Sequence, residues 1–316
     1  MPGPLGDATR RRLTDAAASR LADDGYAITH PETRAEPPAV AIRSGDDAPL
    51  AVEPLTPDDA TATVIASRLA HALDRDRRAC FVVGDAETTE AVLSLLADPA
   101  LLVDERDGRR TFHAGPDRIP VAGGGYACIR YEALGEPTFT WRETDTPVGP
   151  VPAGSGIDAA AVDETDRPMV PRLVCEVDGR VVAVLAGVES LREPPAEAFP
   201  YAYSRHPNDK RFRVRRGSDG AVVESVSGFA PMRAAGYVPI PMPLVPEHVL
   251  GSAFAPERGP RGGEDDEDGE DDEDGENDDA GIDRGETDKT DKTDKTDKTN
   301  LDDAWELIRI DAVDPA

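Results

Sequence analysis

Two spacings of apolar residues divide the first hundred positions. Leu13, Ala16, Ala17 and Leu21 recur at intervals of three and four, which predicts an opening helix over Asp7–Asp24. Val64, Ile65, Leu69 and Leu73 repeat the pattern, entered through Pro57-Asp58-Asp59. Between the charged triplet Asp76-Arg77-Arg78 and Gly84, Ala79–Val83 is continuously apolar, as in a short strand covered on both faces. Asp85 then stands where it can cap a third helix carrying Val92, Leu93, Leu95 and Leu96, which Pro99 ends. Helix, buried strand, helix is an α/β layer.

Farther along, short alternating runs predict strands. They are Ala39–Arg43, Leu50–Val52, Arg110–His113, Tyr126–Tyr131 and Thr138–Trp141, with Gly115-Pro116-Asp117 and Gly123-Gly124-Gly125 between them as turns. Arg172–Val177 and Arg180–Gly187 flank Asp178-Gly179, a dipeptide suited to a type I′ hairpin turn. Arg211–Arg216 and Ala221–Val226 flank Gly217-Ser218-Asp219-Gly220 as a second hairpin, and a short helix follows around Ala230–Ala235. The fold class expected is therefore α+β. It comprises an N-terminal α/β region (1–143), a linker or long surface loop (144–168) and a β-rich region (169–256). A disordered acidic and Thr-Asp-Lys repeat tract (257–300) precedes a short segment, 301–316, that docks back on the domain.

The tract contains 20 acidic and 7 basic residues and almost nothing apolar, so burial cannot offset the entropy of ordering it. Apolar sequence returns with Leu301, Ala304, Trp305, Leu307, Ile308 and Ile310, which suits either a helix or a strand.

Charge changes the picture of the setting. The net charge is −28, of which −15 remains outside 257–300, and Lys210 is the only lysine before the repeats. Surplus carboxylates, arginine in place of lysine and few aromatics resemble, in composition, the proteins of salt-in halophilic archaea. At molar salt the Debye length of about 3 Å screens the self-repulsion such a surface creates. Cys80, Cys128 and Cys175 lie inside apolar runs, none at a metal-binding spacing, which implies buried thiols in a reducing cytoplasm. No apolar run approaches the ~20 residues of a spanning helix, and the first 13 residues lack a signal-peptide core. A soluble cytoplasmic protein with no membrane contact is expected.

Several chemistries lack their residues. Lys210 has no phosphate-loop context, and Gly84 does not lead into a dinucleotide-binding glycine fingerprint. Ser155 sits in Gly154-Ser155-Gly156 within linker composition rather than in a nucleophile elbow. The five histidines are scattered, so neither a metal nor a cofactor is expected.

One stretch departs from the acidic background. Tyr201–Arg216 holds Arg205, His206, Lys210, Arg211, Arg213, Arg215 and Arg216, interleaved with Tyr201, Tyr203 and Phe212. On a strand Arg211, Arg213 and Arg215 would point the same way, about 7 Å apart. Such a row can fork onto carboxylates or phosphates, and nearby aromatics could stack on bases. The binding residues expected are Arg205, Lys210, Arg211, Phe212, Arg213, Arg215 and Arg216, holding an anionic partner, either an acidic protein surface or nucleic acid. Two readings compete with this one: Glu224 could neutralise an arginine across the ladder, or the row could meet acidic surface within the protein or on a second copy of it. An alternative function is an enzyme, hydrolase-like, with a cleft at the C-terminal end of the central strand. Asp85, His113 and Asp117 are its candidate catalytic residues, with His206 beside them.

Overall fold

The alternation of a strand sends its side chains to opposite faces, and Ala79–Val83 uses both. The computed structural model describes residues 4–33, 35–45, 48–133, 135–145, 172–251 and 301–310. Its first half opens with α1 (Pro4–Asp23), β1 (Ala27–Thr29), β2 (Ala39–Ile42) and β3 (Leu50–Pro54). Then come α2 (Ala62–Leu73), β4 (Arg78–Val83) and α3 (Ala86–Leu96). Cys80 and Val82 of β4 join Ala39, Ala41, Leu50 and Val52 beneath Leu13, Ala17 and Leu21 of α1. Ala79, Phe81 and Val83 turn the other way, onto Ile65 and Leu69 of α2 and Val92 and Leu96 of α3. Both faces are therefore covered, and truncating the fully buried Phe81 to alanine would cost about 3–5 kcal/mol.

The fifth strand of this sheet comes from the far end of the chain. Residues Leu301–Ala304 form one helical turn, α6, and Trp305–Arg309 continue as β17, parallel to β4 with Leu307 beside Phe81. The apolar spacing over 301–310 fits both elements because both are present in series. The strand order is β1-β2-β3-β4-β17, antiparallel as far as β3 and parallel beyond it.

The remainder is α+β only in its small helices. β5 (Leu102–Arg106) and β6 (Arg109–Phe112) are followed by β7 (Ala114–Arg118), β8 (Tyr126–Arg130) and β9 (Phe139–Thr144). Past the next described residue come β10 (Arg172–Val177), β11 (Arg180–Leu185), β12 (Tyr201–Arg205), β13 (Phe212–Arg216) and β14 (Val222–Val226). α4 (Phe229–Ala234), β15 (Tyr237–Pro239), β16 (Pro241–Pro243) and α5 (Pro246–Val249) complete the set. They make two five-stranded antiparallel sheets, β11-β10-β9-β6-β5 and β14-β13-β12-β8-β15, with β16 pairing β7. The chain thus belongs to the α+β class throughout.

Between the two antiparallel sheets lies one core. Phe112, Trp141, Leu173 and Cys175 of the first sheet meet Ala127 and Ile129 of β8, with Ile240 beside them. Trp141 is fully buried, and its indole nitrogen donates to the Pro241 carbonyl at 2.9 Å. At the Asp178-Gly179 turn both residues have positive φ, 49° and 76°, the backbone a type I′ hairpin needs. Asp107-Gly108, at 52° and 69°, makes the same turn between β5 and β6, where the sequence reading placed no hairpin. Gly115-Pro116-Asp117, expected as a turn, is instead part of β7 and faces the proline-flanked β16. Residues 144–168, read as a linker, join β9 to β10, which are neighbours in one sheet. All of that stretch beyond Asp145 lies outside the described residues, as do Ser155 and the 257–300 tract.

One polar and one apolar contact join the α/β layer to the sandwich. Arg110, in β6 and 4% exposed, donates bidentately to Glu143 of β9 and to Glu247 of α5, all at 2.9–3.0 Å. Three residues on, Leu250 packs into the core beneath α2 and α3. No described helix is long and apolar enough to cross a membrane.

Candidate functional site

Strand β13 alternates as its sequence implies. Val214 is fully buried and Phe212 half-buried against Tyr203 and Met232, under α4. Arg213 and Arg215 therefore take the opposite face, where their cross-strand partners on β12 are Ser204 and Ala202. That face continues the one which Ala202, Ala127 and Ile129 present to the sandwich core. β13 and β14 lie at the outer side of the sheet, so the arginines extend the core-facing surface outward as a polar row.

Each guanidinium has a definable partner. Arg211 donates from Nε to the Ser225 hydroxyl at 3.0 Å and from Nη2 to the Ser225 carbonyl at 2.6 Å. Arg213 pairs with Asp209 at 2.9 Å, and among the described residues Arg215 reaches only the Ser204 hydroxyl, at 3.5 Å. On the flanks, Arg205 donates to the Lys210 carbonyl, and Arg216 pairs with Asp219 at 2.7 Å. Among the described residues, one of the three arginines in the row is held by a carboxylate, and the other two are oriented by neutral oxygens. Lys210 is exposed at the hairpin tip with φ 57°, and His206 Nδ1 lies 3.2 Å from Asp209 Oδ1, an ion pair when the ring is protonated.

Asp209 organises the tip. It accepts from the Arg211 backbone amide and from Arg213, and together with the His206 contact these hold its carboxyl below the ordinary value against desolvation. Glu224 takes no part: it stands opposite Val214, on the aromatic face, and accepts from the Ser225 amide.

The aromatics expected beside the row are elsewhere. Tyr201, Tyr203 and Phe212 belong to the packed cluster under α4, with Tyr203 2% exposed and its ring stacked 6.1 Å from that of Phe212. Burial pushes the Tyr203 hydroxyl up to about 12, although Arg118 donates to it at 2.9 Å. Arg118 also lies 4.4 Å over the Phe229 ring, a contact that no spacing in the sequence announces.

Asp85, His113 and Asp117 occupy three separate settings. Asp85 caps α3, accepting from the Thr88 amide at 2.7 Å and the Thr88 hydroxyl at 2.8 Å. His113 joins β6 to β7; burial lowers its imidazole below the ordinary value, against a hydrogen bond with the Leu102 backbone. Its Nε2 is buried with no hydrogen-bond partner among the described residues. Asp117 is exposed on β7. The glycines 123–125 form a tight turn in which Gly124 donates to the Val121 carbonyl, and a Cβ on Gly125 would stand 2.4 Å from the Tyr203 carbonyl oxygen. The three cysteines are buried, and desolvation raises each thiol far above its ordinary value. No group of three or more metal-ligating side chains occurs among the described residues.

The arginines near the N-terminus separate in space. Arg10 turns inward to Asp59, Arg11 lines a cleft, and among the described residues Arg12 reaches only the Thr9 hydroxyl, at 3.5 Å. Comparisons with known proteins return no matching family model, no matching curated protein and no matching solved structure.

Proposed function

We propose that this chain is a non-catalytic binding protein that holds an acidic protein surface through the arginine row of the β12–β13–β14 ladder. The carrying observation is that Arg211 and Arg215 are oriented by Ser225 and Ser204 rather than by carboxylates. A guanidinium fixed by a hydroxyl keeps its charge uncompensated and its remaining N–H groups available for a planar, bidentate acceptor. Nucleic acid is the weaker candidate. Base stacking would need aromatics beside the row, and Tyr203 and Phe212 pack on the opposite face.

The composition supports a soluble protein working in a salt-rich cytoplasm. There counterion release adds little to affinity, and short, geometrically matched contacts carry the binding. Co-purification at molar salt, wild type beside Arg211→Ser/Arg213→Ser/Arg215→Ser, tests the reading. The triple variant should lose one or more acidic proteins that the wild type retains. An identical complement of proteins would refute the proposal, and selective loss of nucleic acid alone would replace the partner class.

A further inference from the structure

At the C-terminal end of β3 the chain closes a cleft of about 360 Å³ from parts far apart in sequence. α1 contributes Arg10, Arg11, Thr14 and Asp15, α2 contributes Arg68, and His30 comes from the residue that follows β1. β1 and β3 end on the same side, since each is antiparallel to β2. Open α/β sheets bind ligands in crevices of this kind, outside the carboxyl ends of their strands. The volume is at the lower end of the range of small-molecule pockets.

The polar groups in this cleft retain unused donors. Arg68 gives Nη1 to Glu53 at 2.7 Å and to the Pro54 carbonyl, which leaves Nε and Nη2 without a protein acceptor among the described residues. Arg11 makes no hydrogen bond or ion pair among the described residues. His30 uses Nδ1 at the Pro38 carbonyl, 3.1 Å away, and keeps Nε2. Arg10 is clamped through Nε and Nη2 by Asp59, at 3.0 and 2.7 Å, and so is held in place. Asp59 and Glu53 do not themselves line the cleft, and Asp15 is its single lining carboxylate. With Arg10 held by Asp59 and Arg68 by Glu53, Arg11 is the lining arginine that has no carboxylate among the described residues.

A comparable cleft of about 350 Å³ beside β6 and β9 shows the contrast. There Arg106 pairs with Asp104, Arg109 with Asp145 and Arg142 with Glu176, so that every lining arginine has its carboxylate. We propose that the α1–β3–α2 cleft is a binding site for a small molecule bearing a phosphate or carboxylate group, which Arg11 and Arg68 grip by their free N–H groups. The site lies in the α/β layer, apart from the hairpin, and does not depend on the function assigned to that hairpin.

The test uses the full chain in potassium chloride at constant ionic strength, titrated by calorimetry with inorganic phosphate and separately with succinate. Saturable binding of either probe in the millimolar range is expected, and the probe that binds identifies the acid group. Arg11→Ala should weaken it about tenfold, the loss of one charge-assisted contact. Because Arg11 holds nothing in the protein, its melting without the probe should match wild type. Arg68→Lys keeps a charge for Glu53 but not the fork, and should also weaken binding. The Arg211→Ser/Arg213→Ser/Arg215→Ser protein should bind as wild type does. Absence of saturation with both probes would overturn the proposal. So would full affinity in Arg11→Ala, or loss of binding in the hairpin variant alone.

Discussion

Arg78 and Asp303 are joined across 225 residues of chain, the Arg78 Nε donating to the Asp303 carbonyl at 2.7 Å. The contact fixes where β17 begins, and Trp305 then falls into register beside Ala79. Leu307 and Ile308 pack into opposite cores of the α/β layer. Both are half-buried, so Leu307→Ala/Ile308→Ala should cost about 2 kcal/mol, the low end for such truncations. Deleting Glu264–Lys298, which lacks the apolar residues to form a core, should leave thermal melting in molar salt nearly unchanged. Melting curves of the two variants side by side check this, and a larger loss from the deletion than from the double alanine would contradict it.

The Arg110 fork predicts a particular acid response. Burial alone would raise the Glu247 carboxyl, and the Arg110 hydrogen bonds outweigh it, leaving the value below the ordinary 4.5. A carboxyl lowered on folding stabilises the protein above the unfolded value and loses that contribution as pH falls through the folded one. Stability should therefore decline below about pH 4.5, and Glu247→Gln should flatten that decline in acid titrations followed by circular dichroism. Arg110→Ala leaves the buried Glu143 and the part-buried Glu247 without their cation and should cost about 3–5 kcal/mol at neutral pH.

Glu53 should respond in the opposite direction. It is 5% exposed, and burial raises its carboxyl above the ordinary value despite Arg68 beside it. A raised carboxyl contributes most below the unfolded value and loses stability as pH rises through the folded one. Glu53→Gln, which still offers Arg68 an acceptor oxygen, should melt at or above the wild-type temperature at pH 7. A clear drop in melting temperature would show that the ion pair outweighs its desolvation.

What the sequence made legible depended on how local the cause was. β4 could be read because Asp76-Arg77-Arg78 and Gly84 bound an apolar run, and the β10–β11 turn because Asp178-Gly179 favours positive φ at both residues. The same dipeptide at Asp107-Gly108 gives no hairpin signal in the sequence because the strand ends beside it carry Asp104, Glu105, Arg106 and Arg109, charged residues in place of alternating apolar ones. β7 was hidden by Gly115 and Pro116, turn residues that a strand tolerates only where few ladder bonds are required. β12 is inconspicuous in the sequence because basic residues crowd its C-terminal end, although Tyr201 and Tyr203 alternate with small residues. The arginine row was visible because alternation is local. The placement of its aromatics on the α4 side follows from the same period of two. The Arg10–Arg11–Arg68 cleft was not legible, since nothing in either helix announces that β3 will bring them together.

Asp85 illustrates how a polar residue at a strand end can serve the fold. Its carboxylate takes both the amide and the hydroxyl of Thr88. Asp85→Ala should destabilise by about 1 kcal/mol through loss of the cap, and Asp85→Ser should recover most of it. Urea titrations of the three proteins measure the difference.

Asp209 is the internal competitor of the hairpin. It holds Arg213, sits 3.2 Å from His206 and accepts from the Arg211 amide, all within an exposed tip. Asp209→Asn removes the negative charge while the amide oxygen still accepts from the Arg211 backbone, so the turn is retained. Arg213 then joins Arg211 and Arg215 as an uncompensated cation. If the row binds an acidic surface, this variant should retain its partner through higher-salt washes than wild type does, with a steeper dependence of binding on salt. Equal retention in both proteins would mean that Arg213 does not face the partner, and would confine the contact to Arg211 and Arg215.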